Sequence, residues 1–316
     1  MTRHRPLIVV AGAMALLAAA CLAGLWLDDR MLVGAPIWLK AFKFATSTVI
    51  YATTLAWLIS LLDGRRARTG WWLGTVIAAG LVIELAAIVG QIVRGTESHF
   101  NVATPFDTAV WAVMAATIML VFVATLGLAV ILIRQRLTDR PAALAIRLGV
   151  LIALAGMGIA YFMTGPTPAQ LDALESGAAP TLIGAHSVGV ADGGPGLPLL
   201  GWSTVGGDLR AGHFIGLHGL QALPLLALGL SLLSRRWSRL RPSGVRVRLI
   251  AVAAFGYAWL TAVVTWQALR GQSLIHPDSL TLGVAGLGLL ATLAGAVWAL
   301  RTRTDRADFG LAAGAR

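Results

Sequence analysis

Charge is scarce in this sequence. Of its 316 residues only 12% are Asp, Glu, Lys or Arg, while 57% are hydrophobic and the mean hydropathy is +0.79. A soluble domain carries roughly a quarter charged residues, so there are too few here to coat a globule. There are enough for the loops between membrane helices. Cysteine is nearly missing: Cys21 stands alone, which excludes an intramolecular disulfide and a thiolate metal cluster. Also absent are HExxH, paired cysteines and the Walker and Rossmann glycine patterns. No motif defines a reaction, and whether the chain is an enzyme stays open.

What is present is basic, with a net charge of +11 and a pI near 11.4. The cations are arginine clusters between apolar runs of about 20 residues, not a basic patch with its own fold, so nucleic acid is excluded as a partner. The lipid bilayer is the expected one.

Apolar runs fall at 7–27, 37–62, 71–93, 108–133, 148–164, 212–234, 249–269 and 280–300. Each is near the ~20 residues that cross ~30 Å of hydrocarbon at 1.5 Å per residue. In lipid the backbone must bond within its own segment, so each run is predicted to be a helix. The expected fold is an all-α polytopic bundle of about eight transmembrane helices. The N-terminal MTRHR, apolar run and Cys21 have the outline of a lipoprotein signal. However, Ala18 stands three before the cysteine and the run continues to Leu27, so a retained first helix is expected and a cleaved signal is the alternative.

Nineteen of the 25 cations lie in one set of flanks: Arg3, Arg5, Arg65, Arg66, Arg68, Arg134, Arg136, Arg140, Arg147, Arg235, Arg236, Arg239, Arg241, Arg246, Arg248, Arg301, Arg303, Arg306 and Arg316. The positive-inside rule puts that side, and both termini, in the cytoplasm of a multi-pass cell-membrane protein. Arg30, Lys40, Lys43, Arg94, Arg210 and Arg270 remain, all at outer helix ends. The outer side also carries the one long loop, 165–211, rich in Gly and Pro, with turn chemistry rather than helical periodicity.

Two short motifs recur in order. LKAFKFA (39–45) opens the second span and LRAGHFI (209–215) the sixth, pairing Lys40 with Arg210 and Lys43 with His213. QIVRG (91–95) closes the third span and QALRG (267–271) the seventh, pairing Gln91 with Gln267 and Arg94 with Arg270. The matches involve rare polar residues, so two four-helix repeats are expected, 1–147 and 148–316, related by an axis along the membrane normal. Chance similarity between apolar segments is the alternative.

Polar residues inside spans are costly, about 2.5–3.5 kcal/mol for a charge at mid-bilayer, and usually face the bundle interior. Glu84 is the one charge near the middle of a span; Glu84, Gln91 and Arg94 share a helical stripe running outward. Lys40, Lys43, Ser47, Tyr51 and Thr54 form another. His218 and Gln221 share a face, and His213 lies about 140° around from His218. His99, His186, His213, His218 and His276 all fall on or near the outer side, with Glu97, Asp107, Asp192, Asp208 and Asp278. Imidazole is the commonest metal and haem-iron ligand. Each has a structural alternative: snorkelling for the lysines, capping for Asp107 and Asp208, macrodipole complementation for Arg94 and Arg270, an ion pair for Glu84. The tryptophans, including Trp38, Trp71, Trp72 and Trp202, fit interfacial belts.

With two four-helix halves, a histidine opening the sixth span and QALRG closing the seventh, the chain resembles the haem A synthase architecture. That resemblance implies outward-facing haem held by histidines. It departs where the first half carries Phe42, Lys43, Asp107 and Trp111 instead of histidines, and the eighth span has none. One haem at most is implied, with His213 or His218 and His276 as ligands, and haem A synthesis is not expected. The chain is also similar to uncharacterised bacterial multi-pass proteins with KFA–S, SHFN–TP-D and GDLR–HF–LH–LQ patterns, here Lys43 to Ser47, Ser98 to Asp107 and Gly207 to Gln221.

Three readings follow. The first is a redox or cofactor site in the outer half, holding haem or quinone, with Lys40, Lys43 and Arg210 neutralising anionic groups and His213, His218 and His276 as binding residues. The second is a small-solute, anion-selective transporter or receptor using Glu84, with Gln91, Arg94, His99, Gln267 and Arg270 along its route. In the third the polar residues only lock helix packing in a structural or assembly protein.

Overall fold

The structure is a computed structural model that describes residues 4–302; the sequence expectations for Arg3, Arg303, Arg306 and Arg316 lie outside the described residues. Eight long helices carry the fold: α1 (Arg5–Leu27), α2 (Leu39–Ser60), α3 (Gly64–Val93), α4 (Pro105–Arg134), α5 (Arg140–Ile159), α7 (Leu209–Leu233), α8 (Ser243–Leu269) and α9 (Ser279–Arg301). A short α6 (Pro168–Glu175) lies between α5 and α7. All eight long helices are long and apolar enough to cross a membrane. Leucines such as Leu16, Leu225 and Leu289 are exposed along them, where hydrocarbon is the compatible solvent.

Helix starts follow local chemistry. Thr104 accepts from the Asp107 amide at the head of α4, Asp208 from Arg210 at α7, and Asp278 from Thr281 at α9. The third and seventh spans end in Gly95 and Gly271, with φ of +72° and +71°. That left-handed step lets the chain leave a helix end without a Cβ clash.

α1 packs on α2 and α3, α2 on α3, and α3 on α4. In the second half α5 packs on α7 and α8, α7 on α8, and α8 on α9, in the same order. The halves meet through α4 and α5, and through a core in which Leu220 of α7 joins residues of α1 to α5. α5 and α7 approach closely because glycines face each other. A Cβ on Gly156 would lie 2.4 Å from the Leu217 amide nitrogen, and one on Gly216 would lie 2.6 Å from the Gly156 Cα. Small residues at such a crossing let backbones meet.

The long loop 165–211 differs from its expectation. Thr167 and Gln170 form a capping box that starts α6, so one turn-rich segment is helical. Further along, β3 (Ser187–Val188) pairs antiparallel with β4 (Gly207–Asp208), and Asn101 bridges to Leu182. Between α1 and α2, β1 (Met31–Leu32) pairs with β2 (Ala35–Pro36). Periodicity over a few residues is too short to announce such pieces; side-chain capping and cross-loop pairing create them.

Candidate functional site

The expected stripe of Glu84, Gln91 and Arg94 divides in two. Arg94 Nη1 sits 2.5 Å from Asp107 Oδ1, and Gln91 Nε2 donates to the same oxygen at 2.8 Å, tying the end of α3 to the start of α4. Arg270 closes α8 onto α9 in the same way, donating to Asp278 Oδ2 at 2.5 Å and to Thr281 at 3.0 Å, while Gln267 donates to the Ser273 carbonyl at 2.6 Å. Arg270 holds the Asp278 carboxyl well below its ordinary range. Gln91, Arg94, Gln267 and Arg270 are thus engaged in two loop clasps. Arg270 and His276 also line a surface concavity of about 490 Å³, with Thr204 and Gln272; His276 Nδ1 donates to the Thr204 carbonyl.

Lys43 and Arg210 are engaged as well. Lys43 Nζ donates to the Leu200 carbonyl at 2.7 Å and Arg210 Nη2 to the Gly201 carbonyl at 2.6 Å. Arg210 also pairs with Asp208 at 2.6 Å, and Asp208 accepts from the Ser203 amide. One cation from α2 and one from α7 therefore strap the loop around 200 over the end of the bundle opposite the arginine-rich flanks.

Beneath that strap the remaining ionisable groups gather. Glu84 is 4% exposed. One of its oxygens faces His99 Nε2 at 3.5 Å, and the other, Oε2, is buried with no hydrogen-bond partner. Lys40 of α2 lies within electrostatic reach of Glu84 and Glu97. None of the side-chain hydrogen bonds or ion pairs among the described residues uses its ammonium. Of Lys40 and Glu84, Glu84 Oε2 is the buried atom left without a partner, and Lys40 is half-buried.

His99 meets Phe44 and Phe100 edge-on, with ring centroids 5.6 and 6.0 Å away, and lies tilted against Trp111 at 5.6 Å; its Nδ1 lies 3.0 Å from Ser98 Oγ. Burial, with the nearby charges of Lys40 and His186, holds its pKa well below the ordinary 6.5. Burial likewise raises Glu97 above its usual range. His186, which the sequence offered as a loop residue, packs on Phe100 at 5.0 Å and donates from Nδ1 to Asp192 at 2.8 Å. Burial lowers its pKa despite that carboxylate.

The proposed iron ligands point to different partners. His213 Nδ1 donates to the Gly156 carbonyl at 2.8 Å, at the glycine crossing of α5 and α7. His218 pairs with Gln221, which donates to Thr54 of α2. Among the described residues no group of three or more His, Cys, Asp or Glu is arranged to hold a metal ion.

His99 supplies a pH prediction. The folded protein keeps it neutral, whereas the unfolded chain takes up a proton near pH 6.5. A base with a depressed folded pKa makes stability complete above about pH 6.5 and erodes it below. Melting temperature is therefore expected to fall between about pH 6.5 and 5, and His99→Gln to flatten that slope. An equal slope in the variant would remove His99 as the cause.

Eight apolar spans with ionisable residues gathered at one end define a multi-pass integral membrane protein. Compared with known proteins, the chain matches no family model, no curated protein and no solved structure.

Proposed function

We propose that this membrane protein holds a small polar ligand under the outer strap, between Lys40 of α2, Glu84 of α3 and His99 of the α3–α4 loop. The observation that carries this reading is the buried, unpartnered Glu84 Oε2 beside an ammonium that also lacks a protein partner. A ligand suited to both presents an acceptor to Lys40 and a hydroxyl or acid proton to Glu84, as a quinol, an alcohol or a protonated acid does. Either a redox cofactor or a carried solute meets that requirement, with Glu84 as the proton-handling group in both.

Native mass spectrometry of protein extracted in mild detergent tests it. A copurifying small-molecule adduct is expected in the wild type and is expected to disappear in Lys40→Met and Glu84→Gln. If no adduct is found and both variants merely change stability, the polar residues only lock packing.

Haem is a second reading, favoured by one observation: the His213 Nδ1–H is fixed on a carbonyl, leaving Nε2 as the free nitrogen, as haem-ligating imidazoles are arranged. His213 fits a single axial ligand; His218 and His276 also bond through Nδ1, to Gln221 and to the Thr204 carbonyl, but of the three only His213 is anchored on a neighbouring span, α5. When bound, haem would supply one-electron chemistry, and this chain would hold and orient the imidazole. A Soret band after expression with haem supplied, lost in His213→Ala, is expected; its absence removes haem.

We infer that the arginine-rich ends face the cytoplasm, with both termini on that side, as the positive-inside rule requires. We also infer that the halves arose by duplication. The repeated order of helix packing and the paired Gln–Arg–Gly…Asp closures, Gln91 to Asp107 and Gln267 to Asp278, support it.

A further inference from the structure

The arginine-rich end has its own unanswered chemistry. Among the described residues it carries fifteen arginines against two acids, Asp63 and Asp139. All six ion pairs among the described residues involve groups at the opposite end. Two of these arginines converge on one buried residue, Gln135 in the α4–α5 loop. Arg66 Nη1 at the start of α3 donates to Gln135 Oε1 at 3.2 Å, and Arg147 Nη2 of α5 donates to the Gln135 carbonyl at 3.2 Å. Gln135 is 3% exposed, and Arg147 Nε is buried with no partner.

Two guanidiniums held by one neutral residue, Arg66 on its side-chain oxygen and Arg147 on its main-chain carbonyl, repel each other, and an anion between them reverses the sign. The α5 N-terminus opens just beside them, after Asp139, whose side chain makes no capping bond. Its free amides add positive potential at the same place. On the adjoining face of α4, Leu126 and Val130 are exposed and apolar. Thus a fork of donors meets a lipid-facing flank at the level where headgroups lie.

We propose that Arg66 and Arg147, set by Gln135, seat the phosphate of an anionic phospholipid at the junction of the two halves. Arginine suits this role because its planar fork matches phosphate oxygens two at a time. Arg147 is two turns into α5, and its side chain runs back toward the helix start, as long side chains on helices do. The acyl chains would lie along α4. The seat does not depend on the outer ligand site.

Thermal unfolding of the full chain in neutral detergent tests this, with added phosphatidylglycerol, phosphatidylcholine or inorganic phosphate. Phosphatidylglycerol is expected to raise the midpoint saturably, and the other two are not. Arg66→Gln, on an exposed residue, and Arg147→Gln are each expected to weaken the apparent affinity about tenfold, the loss of one charge-assisted hydrogen bond. Arg301→Gln, which removes a charge elsewhere at the same end, is expected to leave it unchanged. Arg147→Lys, which keeps the charge but not the fork, should fall between. An equal shift with phosphatidylcholine, a full shift with inorganic phosphate, or a full response in Arg66→Gln/Arg147→Gln would each overturn the proposal.

Discussion

Gly156→Leu is expected to destabilise the protein by about 3 kcal/mol or more, at the upper end of what overpacking costs. Its Cβ would sit 2.4 Å from the Leu217 nitrogen, and the nearest atoms it meets are all α7 backbone. Backbone cannot rotate out of the way as a side chain can, so α5 and α7 would have to part. That separation also pulls the Gly156 carbonyl from His213. Gly158→Leu, on the same helix, is the control, because a Cβ there meets nothing within 4 Å. Denaturation in mixed micelles reads both. Equal losses for the two variants would mean that the crossing does not set the cost, since leucine is the better helix former at both positions.

Lys40→Met is the second large effect, a loss of about 2 kcal/mol, less than for a broken contact pair because no direct Lys40–Glu84 bond is made. Removing the ammonium leaves Glu84 buried without a nearby cation, and an uncompensated buried charge costs more than a missing pair. The double variant Lys40→Met/Glu84→Leu is accordingly expected to recover most of the loss, although it binds no ligand. Additive losses in the double-mutant cycle would show that the two groups do not sense each other.

The eight spans were legible because apolar runs of spanning length are an unambiguous signal. Their boundaries were less so: α2 runs from Leu39 to Ser60 rather than 37–62, α5 ends at Ile159 rather than 164, and three starts come early. α3 begins at Gly64 rather than 71, α5 at Arg140 rather than 148, and α8 at Ser243 rather than 249. Each early start is a polar, arginine-bearing turn beyond the hydrocarbon, which hydropathy does not register.

The site was legible only in part. Mid-span burial singled out Glu84, and the outer gathering of histidines included His99. Helical spacing, however, gives a side chain's direction and not its partner. Gln91 lies seven residues from Glu84 on one face, yet Asp107 of the next helix captures it. Lys43 and Arg210 read as charges for an anion, but loop carbonyls take them, an outcome fixed by a strap about 157 residues from Lys43. Two signals were available and unused. Lys40 and Lys43 are the chain's only lysines, both in one span, and Asp192 follows His186 at a reach that closes a small loop.

A density map of the purified protein in lipid nanodiscs bears most directly on the ligand site. Non-protein density is expected to touch Lys40 Nζ and Glu84 Oε2 together, beneath the strap at 200. A map in which that ammonium and carboxylate bond directly, with nothing between them and His99 closed against both, would contradict it.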